Sequence, residues 1–353
     1  MQSPPVADPP NDICLVRLSA IGDTCHALAV VRNLQDNWPD ARLTWIIGRT
    51  EAKLLGDVAG VEFIIFDKRQ GRDAYRDVTR ALGARRFDVV LCMHASLRVN
   101  LLYPRLRAGM RLGFDRARAR DFQWLFTSAR IPPGDGEHAL DAMMGFARYL
   151  GAAQTPVRWD IPLPAAARAY AARHVDDNTV VISPVSSQRF RNFRNWPLER
   201  YRAVCEHLVG KHGCRVIVTG GGSNLEREYA AALCAVPGVS SIVGESDLKE
   251  AVAVFAAARL VICPDSGPAH MATAMGTPVV GLYATSNPAR TGPYLHRELT
   301  VNRYADAVAR YLGKPVSELR WGQRVRHPDA MNLITIDDVV GKIDTFMALP
   351  QNA

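Results

Sequence analysis

Short apolar runs alternate with segments of helical spacing along most of this chain, and this alternation restricts the possible folds more than any other feature. Residues 13–18 predict a strand, residues 24–38 place their apolar side chains on one face of a helix, and residues 43–47 predict a second strand. Strands and helices that alternate in this way form a parallel sheet with helices on both faces. The chain is therefore predicted to be an α/β protein.

The alternation is interrupted once, in the region that follows Gly151. A proline-containing stretch, residues 155–164, leads into the Ala-rich helix Ala165–His174, and the alternation restarts at Thr179. Since a chain of 353 residues usually divides into two domains, we predict two Rossmann-like, doubly wound domains that face each other across a cleft. The predicted parts are a disordered leader at 1–12, a first domain at 13–154, a linker at 155–178, a second domain at 179–335, and a C-terminal segment at 336–353 whose helix can pack back on the first domain.

The composition argues against a membrane-spanning or disulfide-stabilised protein. Hydrophobic residues make up 48% of the chain, yet no apolar run approaches the roughly 18 residues that indicate a transmembrane helix. The Pro-rich start lacks the basic region of a signal peptide. The seven cysteines form no C-x-x-C pair, which is typical of reduced, buried thiols rather than of a disulfide or zinc framework. We expect a cytoplasmic protein.

Positive charge is concentrated in one part of the sequence. The whole chain has a formal net charge of +8, whereas residues 68–130 contain 15 lysines and arginines against 5 aspartates. Such a local excess favours an anionic partner for one face of the protein. A solvated basic face without a ligand and a nucleic-acid-binding face are the alternatives that charge alone leaves open.

The most informative motif, Pro-Asp-Ser-Gly-Pro-Ala-His, occupies residues 264–270. It follows the apolar run 260–263, and Pro268 suits the first turn of a short helix that Gly276 would end. A strand-to-helix turn of this kind directs backbone N–H groups and the positive helix end at one position, which favours an anion such as a diphosphate. The same residue types are also common in ordinary turns and caps.

The first strand also ends at a polar turn, Arg-Leu-Ser-Ala-Ile-Gly-Asp-Thr at residues 17–24. Gly22 allows a sharp turn, and Asp23 stands where the N-cap of the following helix belongs. Alternatively, Asp23 is a general base that takes a proton from an attacking hydroxyl group. Position alone leaves both roles open.

A basic segment, residues 183–197, follows the first strand of the second predicted domain. Two serines precede three arginines, Arg189, Arg191 and Arg194. Guanidinium groups bind phosphate oxygens through paired hydrogen bonds and can neutralise the charge of a departing diphosphate. An exposed basic loop is the alternative, but the position at a strand end favours a site.

The motifs of several other enzyme classes are missing. The chain has no G-x-G-x-x-G fingerprint, which disfavours a nicotinamide-dependent oxidoreductase, and no G-x-S-x-G elbow. It has no Asp-x-Asp pair at a strand end and no His or Cys cluster with metal spacing. We therefore predict no metal and no cofactor. The Gly-rich stretch 220–226 is interpreted as a helix cap, because Ser223 and Glu226 have capping-box spacing.

Residues 116–126 mix arginines with aromatic and aliphatic residues. One interpretation places this segment at a membrane surface. The other, which we prefer on sequence grounds, is an amphipathic helix whose aromatic side chains lie in the core.

These motifs, in this order, resemble the glycosyltransferase family 9 proteins, the heptosyltransferases of lipopolysaccharide core assembly. The resemblance is carried by RLSAIGDTCHALAVV, GFDRARARDFQWLF, SSQRFRNFRNWP, PDSGPAHMATAMGTPVVGLY and the tail YLGKPVSELRWGQRVRHPDAMNLITIDDVV. It extends over nearly the whole chain beyond residue 12. It implies a GT-B fold, with the donor held mainly by the second domain and the acceptor by the first, and an inverting, metal-independent displacement.

The resemblance also implies roles for individual residues. Asp23 matches the catalytic aspartate, and Arg98 and Arg120 match basic positions of the acceptor half. The residues that match donor-binding positions are Ser186, Ser187, Arg191, Arg194, Asp265, Ser266, Gly267 and His270. Arg194 replaces a more familiar lysine before Trp196, and Arg189 or Arg191 can share its role.

The expected function is transfer of heptose from ADP-heptose to an anionic Kdo–lipid A acceptor at the cytoplasmic face of the inner membrane. The expected partners are the nucleotide-sugar donor, the glycolipid acceptor and the membrane surface, without nucleic acid. A family 9 enzyme that uses another nucleotide sugar is the first alternative. A basic, non-catalytic nucleic-acid-binding protein is the second, although it leaves the aspartates and serines at the strand ends without a role.

Overall fold

The computed structural model describes residues 9–188 and 190–349 and contains two compact α/β units, one ending at Pro162 and the other beginning at Leu163. Among the described residues, no helix is both long enough and apolar enough to cross a membrane. Residues 1–8 of the predicted leader lie outside the described residues, whereas Asp12 already belongs to the first strand.

The described part of the first unit is a parallel sheet with helices between its strands. The strands are β1 (Asp12–Val16), β2 (Arg42–Gly48), β3 (Val61–Phe66), β4 (Phe87–Leu91), β5 (Ala108–Gly113) and β6 (Ala129–Arg130). The helices are α1 (Ile21–Asn37), α2 (Arg49–Leu55), α3 (Asp73–Leu82), α4 (Leu97–Asn100) and α5 (Ala139–Tyr149).

The strand order of this sheet is β3-β2-β1-β4-β5-β6, and each neighbouring pair is parallel. The order reverses between β1 and β4. Leu15 of β1 is aligned with Trp45 of β2 on one side and with Leu91 of β4 on the other. The loops after β1 and β4 therefore leave the same edge of the sheet side by side. This is the position at which open parallel sheets bind ligands.

The second unit repeats this plan. Its strands are β7 (Thr179–Ile182), β8 (Arg215–Val218), β9 (Val239–Ser241), β10 (Leu260–Pro264), β11 (Val279–Tyr283) and β12 (Val301–Asn302). Its helices are α6 (Ala165–His174), α7 (Leu198–His212), α8 (Asn224–Leu233), α9 (Leu248–Ala257), α10 (Gly267–Ala274), α11 (Pro288–Thr291), α12 (Tyr304–Leu312) and α13 (Ile336–Met347). The strand order is β12-β11-β10-β7-β8-β9, so the reversal lies between β7 and β10.

The central strands are buried because helices cover both faces of each sheet. All four side chains from Ile13 to Val16 are inaccessible to solvent, as are those of Val180, Val181 and Ile182. A strand buried on both faces is a continuous apolar run. This explains why apolar runs in the sequence predicted the α/β fold correctly. The seven cysteines are free, and all except Cys234 are buried, as expected for structural thiols.

The C-terminal helix α13 completes the core of the second unit. Val339 and Ile343 are fully buried in the same cluster as the central strands of that unit, and Asp338 forms an ion pair with Arg303 at 2.5 Å. The sequence allowed this helix to pack back on the first domain. Its apolar face is instead used within the second unit.

The helix after β1 starts earlier than the sequence predicted. α1 begins at Ile21, so Asp23 lies in its first turn and is not the N-cap, and Gly22 belongs to the helix and not to a sharp turn. The Asp23 carboxylate accepts a hydrogen bond from the Ala20 N–H at 3.3 Å. A negative side chain in the first turn is stabilised by the helix dipole.

Residues 116–126 do not form the amphipathic helix that we preferred. Residues Gln123–Leu125 form one 3₁₀ turn, and the side chains of Phe122 and Leu125 are 61% and 71% exposed. The expectation that the aromatic side chains of this segment lie in the core is therefore wrong for Phe122. Gln123 is buried instead and donates to the carbonyl oxygen of Cys92 at 2.8 Å.

Gly48, the last residue of β2, has no space for a side chain. A Cβ atom there would lie 2.3 Å from the Leu18 carbonyl oxygen, which already accepts the Gly48 N–H at 3.0 Å. Gly48→Ala should lower the free energy of unfolding by about 1–3 kcal/mol, the usual cost of overpacking, as measured by urea unfolding. Gly210→Ala is the matched control, because a Cβ atom at that position meets no atom within 4 Å. This substitution should raise the free energy of unfolding by up to about 1 kcal/mol, because alanine has the higher helix propensity. Equal effects of the two substitutions would contradict this account.

Candidate active site

Asp23 is held by an arginine from the end of β1. Arg17 Nη2 lies 2.5 Å from Asp23 Oδ2, and Arg17 Nη1 donates to the Met93 carbonyl oxygen at 2.7 Å. The Arg17 side chain is 12% exposed and that of Asp23 is 40% exposed. A largely buried guanidinium thus fixes an accessible carboxylate at the ligand-binding edge of the first sheet.

His94, which follows β4, supports this arrangement. Its Nδ1 accepts a hydrogen bond from the Leu18 N–H at 3.3 Å, and its carbonyl oxygen accepts one from the Tyr103 hydroxyl at 2.6 Å. Burial, together with the positive charge of Arg17, lowers the pKa of His94 to about 4. The imidazole is therefore neutral at pH 7 and can act as an acceptor. Sequence reasoning missed His94, whose signal is its position after the strand that pairs with β1.

The two predicted acceptor-binding arginines lie on segments that contact each other. Arg98 and Arg120 are both exposed. The Asn100 side chain donates to the carbonyl oxygens of Arg120 at 3.3 Å and of Asp121 at 2.8 Å. The Leu97 N–H donates to the Asp121 carboxylate at 2.9 Å. The structure therefore joins the two basic segments.

Exposed apolar side chains adjoin these arginines. Leu97 and Leu101 are 56% and 43% exposed, in addition to the exposed Phe122 and Leu125. The Arg116 guanidinium lies over the ring of Trp124, 5.3 Å from its centroid. We call this set the basic apolar surface, and it consists of Leu97, Arg98, Leu101, Arg116, Arg120, Phe122, Trp124 and Leu125.

In the second unit, Asp265 is buried at the end of β10 and is 5% exposed. Its Oδ2 accepts a hydrogen bond from the Ser286 hydroxyl at 2.7 Å. Arg194 Nη1 lies 3.1 Å from the same oxygen and donates to the Asp265 carbonyl oxygen at 2.6 Å. The structure thus brings together Arg194 and Asp265, which the sequence had placed in two separate motifs.

Helix α10 begins at the predicted turn. Ser266 is its N-cap, but the Ser266 hydroxyl donates to the Pro264 carbonyl oxygen at 3.0 Å and does not cap the helix. The N–H groups of the first turn, which starts at Gly267, have no partner within a helix and form its positive end. His270 is half-buried on α10, and Gly276 follows the helix with φ of +81°, as a stop residue should.

The loop after β7 is ordered by two asparagines. Asn195 Oδ1 accepts hydrogen bonds from the Ser186 N–H and hydroxyl, both at 2.8 Å. Asn192 Oδ1 accepts from Arg194 Nε at 2.6 Å. Ser186 is therefore a buried part of the loop, whereas Ser187 is exposed.

The other two arginines of this loop differ from Arg194. Arg191 is exposed and has φ of +54°, and its contacts do not include the Asp265 carboxylate. Arg189 lies outside the described residues. Among the described arginines of this loop, Arg194 is thus the one that contacts Asp265.

Arg324, which sequence reasoning did not single out, also approaches Asp265. Its Nη2 lies 3.9 Å from Asp265 Oδ2, and the next residue, Val325, is anchored by its N–H to the Thr285 carbonyl oxygen at 3.0 Å. Burial, and then the positive charge of Arg194, lowers the pKa of Arg324. Arg324 belongs to the motif Arg-Val-Arg-His in the tail of the sequence. Nothing in this motif indicates that it contacts the distant turn at Asp265.

The surroundings of Asp265 have an excess of positive charge. Arg290 and Arg326 also repel the Arg324 guanidinium, so one carboxylate lies among several cations. Two like unit charges 4 Å apart repel each other by about 4 kcal/mol at an effective dielectric constant of 20. A bound anion relieves this repulsion, and with the N-terminus of α10 the geometry suits a diphosphate.

The glycine-rich stretch after β8 is a helix cap, as predicted. The Ser223 hydroxyl accepts from the Glu226 N–H at 3.4 Å, and the Glu226 carboxylate accepts from the N–H groups of Gly221 and Ser223 at 2.8 and 2.7 Å. These contacts form a capping box.

Comparison with known proteins identifies the family. The profile of glycosyltransferase family 9 (heptosyltransferase) matches residues 75–325. The lipopolysaccharide core heptosyltransferase OpsX of Haemophilus influenzae is 34% identical over 345 residues, which cover 96% of this chain and 98% of that protein. The chain belongs to glycosyltransferase family 9. The predicted class of enzyme, a glycosyltransferase, is thus confirmed over the nucleic-acid-binding alternative.

Solved structures confirm the GT-B fold. A family 9 glycosyltransferase from Veillonella parvula superposes with a TM-score of 0.76 at 19% identity, covering 96% of this chain and 97% of that chain. The Escherichia coli heptosyltransferase WaaC, solved with ADP-2-deoxy-2-fluoro heptose, gives a TM-score of 0.71 at 21% identity, covering 95% and 99%. Two parallel, doubly wound sheets are the basis of this likeness.

Replacing Arg324 with Gln should weaken the binding of inorganic pyrophosphate by tenfold or more, because one charge-assisted contact contributes about 1.5–3 kcal/mol. Isothermal titration calorimetry measures this effect. The unliganded variant should be as stable as the wild type or more stable, since a repulsion among arginines is removed.

Arg320→Gln is the matched control, because Arg320 is an exposed arginine of the same segment. It should bind pyrophosphate as the wild type does. Wild-type affinity in Arg324→Gln would remove Arg324 from the site.

Proposed function

We propose that this family 9 enzyme transfers heptose from ADP-heptose to the Kdo–lipid A inner core of lipopolysaccharide. The observation that carries the proposal is the 34% identity, over nearly the full length of both chains, to a lipopolysaccharide core heptosyltransferase. The likeness to WaaC, whose structure holds an ADP-heptose analogue, supports the choice of donor.

The second unit binds the donor in this proposal. Arg194 and Arg324 bind the diphosphate. The N–H groups in the first turn of α10, which form the positive end of that helix, also point at the diphosphate. Asp265 keeps the two guanidiniums in place and leaves a net positive charge for the ligand. Ser266, Gly267 and His270 contribute from the same turn.

The loop after β7 completes donor binding. Ser187 and Arg191 are exposed and can contact the nucleotide sugar, while Ser186 acts through the loop because its hydroxyl bonds to Asn195. As the bond between the anomeric carbon and the diphosphate oxygen breaks, negative charge accumulates on the diphosphate. Fixed guanidiniums and helix N–H groups stabilise this charge without reorganisation.

The first unit binds and activates the acceptor. The Asp23 carboxylate removes the proton of the acceptor hydroxyl while that oxygen forms a bond to the anomeric carbon, on the face opposite the diphosphate, so the configuration inverts. The products are the glycoside, ADP and protonated Asp23, which returns its proton to solvent. Arg17 keeps the carboxylate oriented, and Arg98 and Arg120 bind the phosphates or carboxylates of the acceptor.

The acceptor is anchored in a membrane, and the basic apolar surface is suited to reach it. Exposed leucines and Phe122 can enter the lipid headgroup region, and the adjoining arginines attract anionic lipids. We therefore place the protein at the cytoplasmic face of the inner membrane, in peripheral contact through its first unit.

Asp23→Asn should lower kcat for heptose transfer from ADP-heptose to Kdo–lipid A by about 10²–10⁴-fold, the usual contribution of a general base. The dissociation constant of ADP should change by less than about twofold, because the second unit holds the donor. A coupled ADP-release assay and calorimetry give the two values.

Asp40→Asn, at an exposed aspartate, serves as the control and should retain full turnover. Unchanged turnover in Asp23→Asn would eliminate the proposed base. A wild-type enzyme that ignores ADP-heptose and uses another nucleotide sugar would overturn the proposed donor while leaving the family assignment intact.

The double substitution Phe122→Ser, Leu125→Ser should reduce co-sedimentation with anionic liposomes several-fold, because it removes the apolar side chains that enter the headgroup region. Binding of the wild type should also fall as salt is added, since the arginines are screened. Ile65→Ser removes an apolar side chain that is 49% exposed on β3 and should leave binding unchanged. Equal binding by all three proteins would refute the membrane contact.

A further inference from the structure

Helices α7 and α13 bring two histidines and an aspartate together in the second unit. The Nε2 atoms of His207 and His212 each lie 2.7 Å from Asp344 Oδ1. One possible ligand atom from each of the three residues lies within 4.8 Å of the other two. His207 and His212 are separated from Asp344 by most of the second unit's sequence, so no motif with metal spacing reveals the cluster.

The cluster lies far from the proposed donor site. His212 ends α7, and β8 starts shortly afterwards at Arg215, so this end of α7 is beside the N-terminal edge of the sheet. Asp265 follows the C-terminal end of β10, and the strands are parallel. The two sites are therefore at opposite edges of the second sheet, and the cluster has no part in the proposed transfer.

We propose that His207, His212 and Asp344 bind one divalent transition-metal ion of the Zn²⁺ class. Two imidazole nitrogens and one carboxylate oxygen are ligands that Zn²⁺, Co²⁺ and Ni²⁺ accept, whereas Mg²⁺ and Ca²⁺ prefer oxygen ligands alone. Metal–ligand bonds of about 2.0–2.1 Å place tetrahedral ligands about 3.3 Å apart. The two contacts to Asp344 Oδ1 need to lengthen by only about 0.6 Å to admit the ion.

The surroundings of the cluster leave a coordination position for water. The side chains of His207, His212 and Asp344 are 20%, 16% and 31% exposed, so none of the three is fully shielded from solvent. Three protein ligands and one water complete a tetrahedral shell. Each histidine coordinates through the Nε2 lone pair and carries its ring proton on Nδ1.

Lys211 shapes the site without coordinating. Its ammonium lies 2.8 Å from Asp344 Oδ2, so Asp344 offers Oδ1 as a single ligand atom. The Lys211 side chain is 56% exposed, and its positive charge opposes the ion.

A bound ion would fasten α13 to α7. Because the unfolded chain does not hold the three ligands together, metal binding stabilises the folded second unit. This role is structural and independent of the transfer reaction.

The test uses the full chain without an affinity tag, in a Cys234→Ser background that removes the exposed thiol, after treatment with a chelator. Titration with Co²⁺ should give visible absorption bands that saturate at one equivalent, and Zn²⁺ should displace Co²⁺ and raise the midpoint of thermal unfolding. His207→Gln and His212→Gln should each weaken Co²⁺ binding by tenfold or more. His327→Gln, which alters a histidine near Asp329 elsewhere in the unit, should bind as the parent does.

Lys211→Gln separates a metal site from a network of ion pairs. It removes the opposing charge, so it should tighten Co²⁺ binding several-fold even though it removes an ion pair with Asp344. Absence of one-equivalent binding, or binding that survives both histidine substitutions, overturns the proposal. Weaker Co²⁺ binding in Lys211→Gln also contradicts the proposal. If the cluster is only a network of ion pairs, Lys211→Gln should lower the stability of the protein and should not tighten Co²⁺ binding.

Discussion

The parallel pairing of β1 with β4 and of β7 with β10 determines where the functional groups of each unit meet. In the first unit this pairing lets Arg17 reach the carbonyl oxygen after β4 while it holds Asp23. In the second unit it lets Arg194, from the loop after β7, reach Asp265 after β10. Each contact crosses the point at which the strand order reverses, where two loops leave the sheet together.

The two units use the same pair of charges in opposite ways. In the first, a mostly buried arginine fixes an accessible carboxylate, an arrangement suited to accepting a proton. In the second, a buried carboxylate fixes arginines whose charge exceeds its own, an arrangement suited to binding an anion. In both, the buried partner is held by hydrogen bonds to the backbone or to a hydroxyl group, so the orientation of the functional partner is set before a ligand arrives.

The sequence predicted those parts of the structure that depend on local pattern. Buried strands appear as continuous apolar runs, and the turns at Asp265 and Asp23 have local residue preferences, so their places at strand ends could be inferred. The contribution of Arg324 could not, because it depends on a tail segment that returns to Thr285. His94 was missed for a related reason, since only the strand order places it beside Leu18.

The errors of sequence interpretation also have physical causes. The 116–126 segment has the composition of an amphipathic helix, but it forms only short turns, and Asp121 and Phe122, which precede the 3₁₀ turn, both adopt positive φ. The apolar face of α13 could be recognised from the sequence, but the spacing of apolar residues does not show whether that face packs in the core of the first unit or of the second. In the same way, spacing along the chain gave no indication that Asp344 meets His207.

The unequal burial of the cysteines makes the protein convenient for site-directed labelling. Burial raises the pKa of Cys25 and of Cys205 to about 12, so neither forms a reactive thiolate at neutral pH. Cys234, beside the C-terminal end of α8, is exposed, although partial burial also raises the pKa of its thiol. A maleimide fluorophore should therefore react preferentially with Cys234 in the wild-type protein, so the second unit can be labelled without substituting the other cysteines.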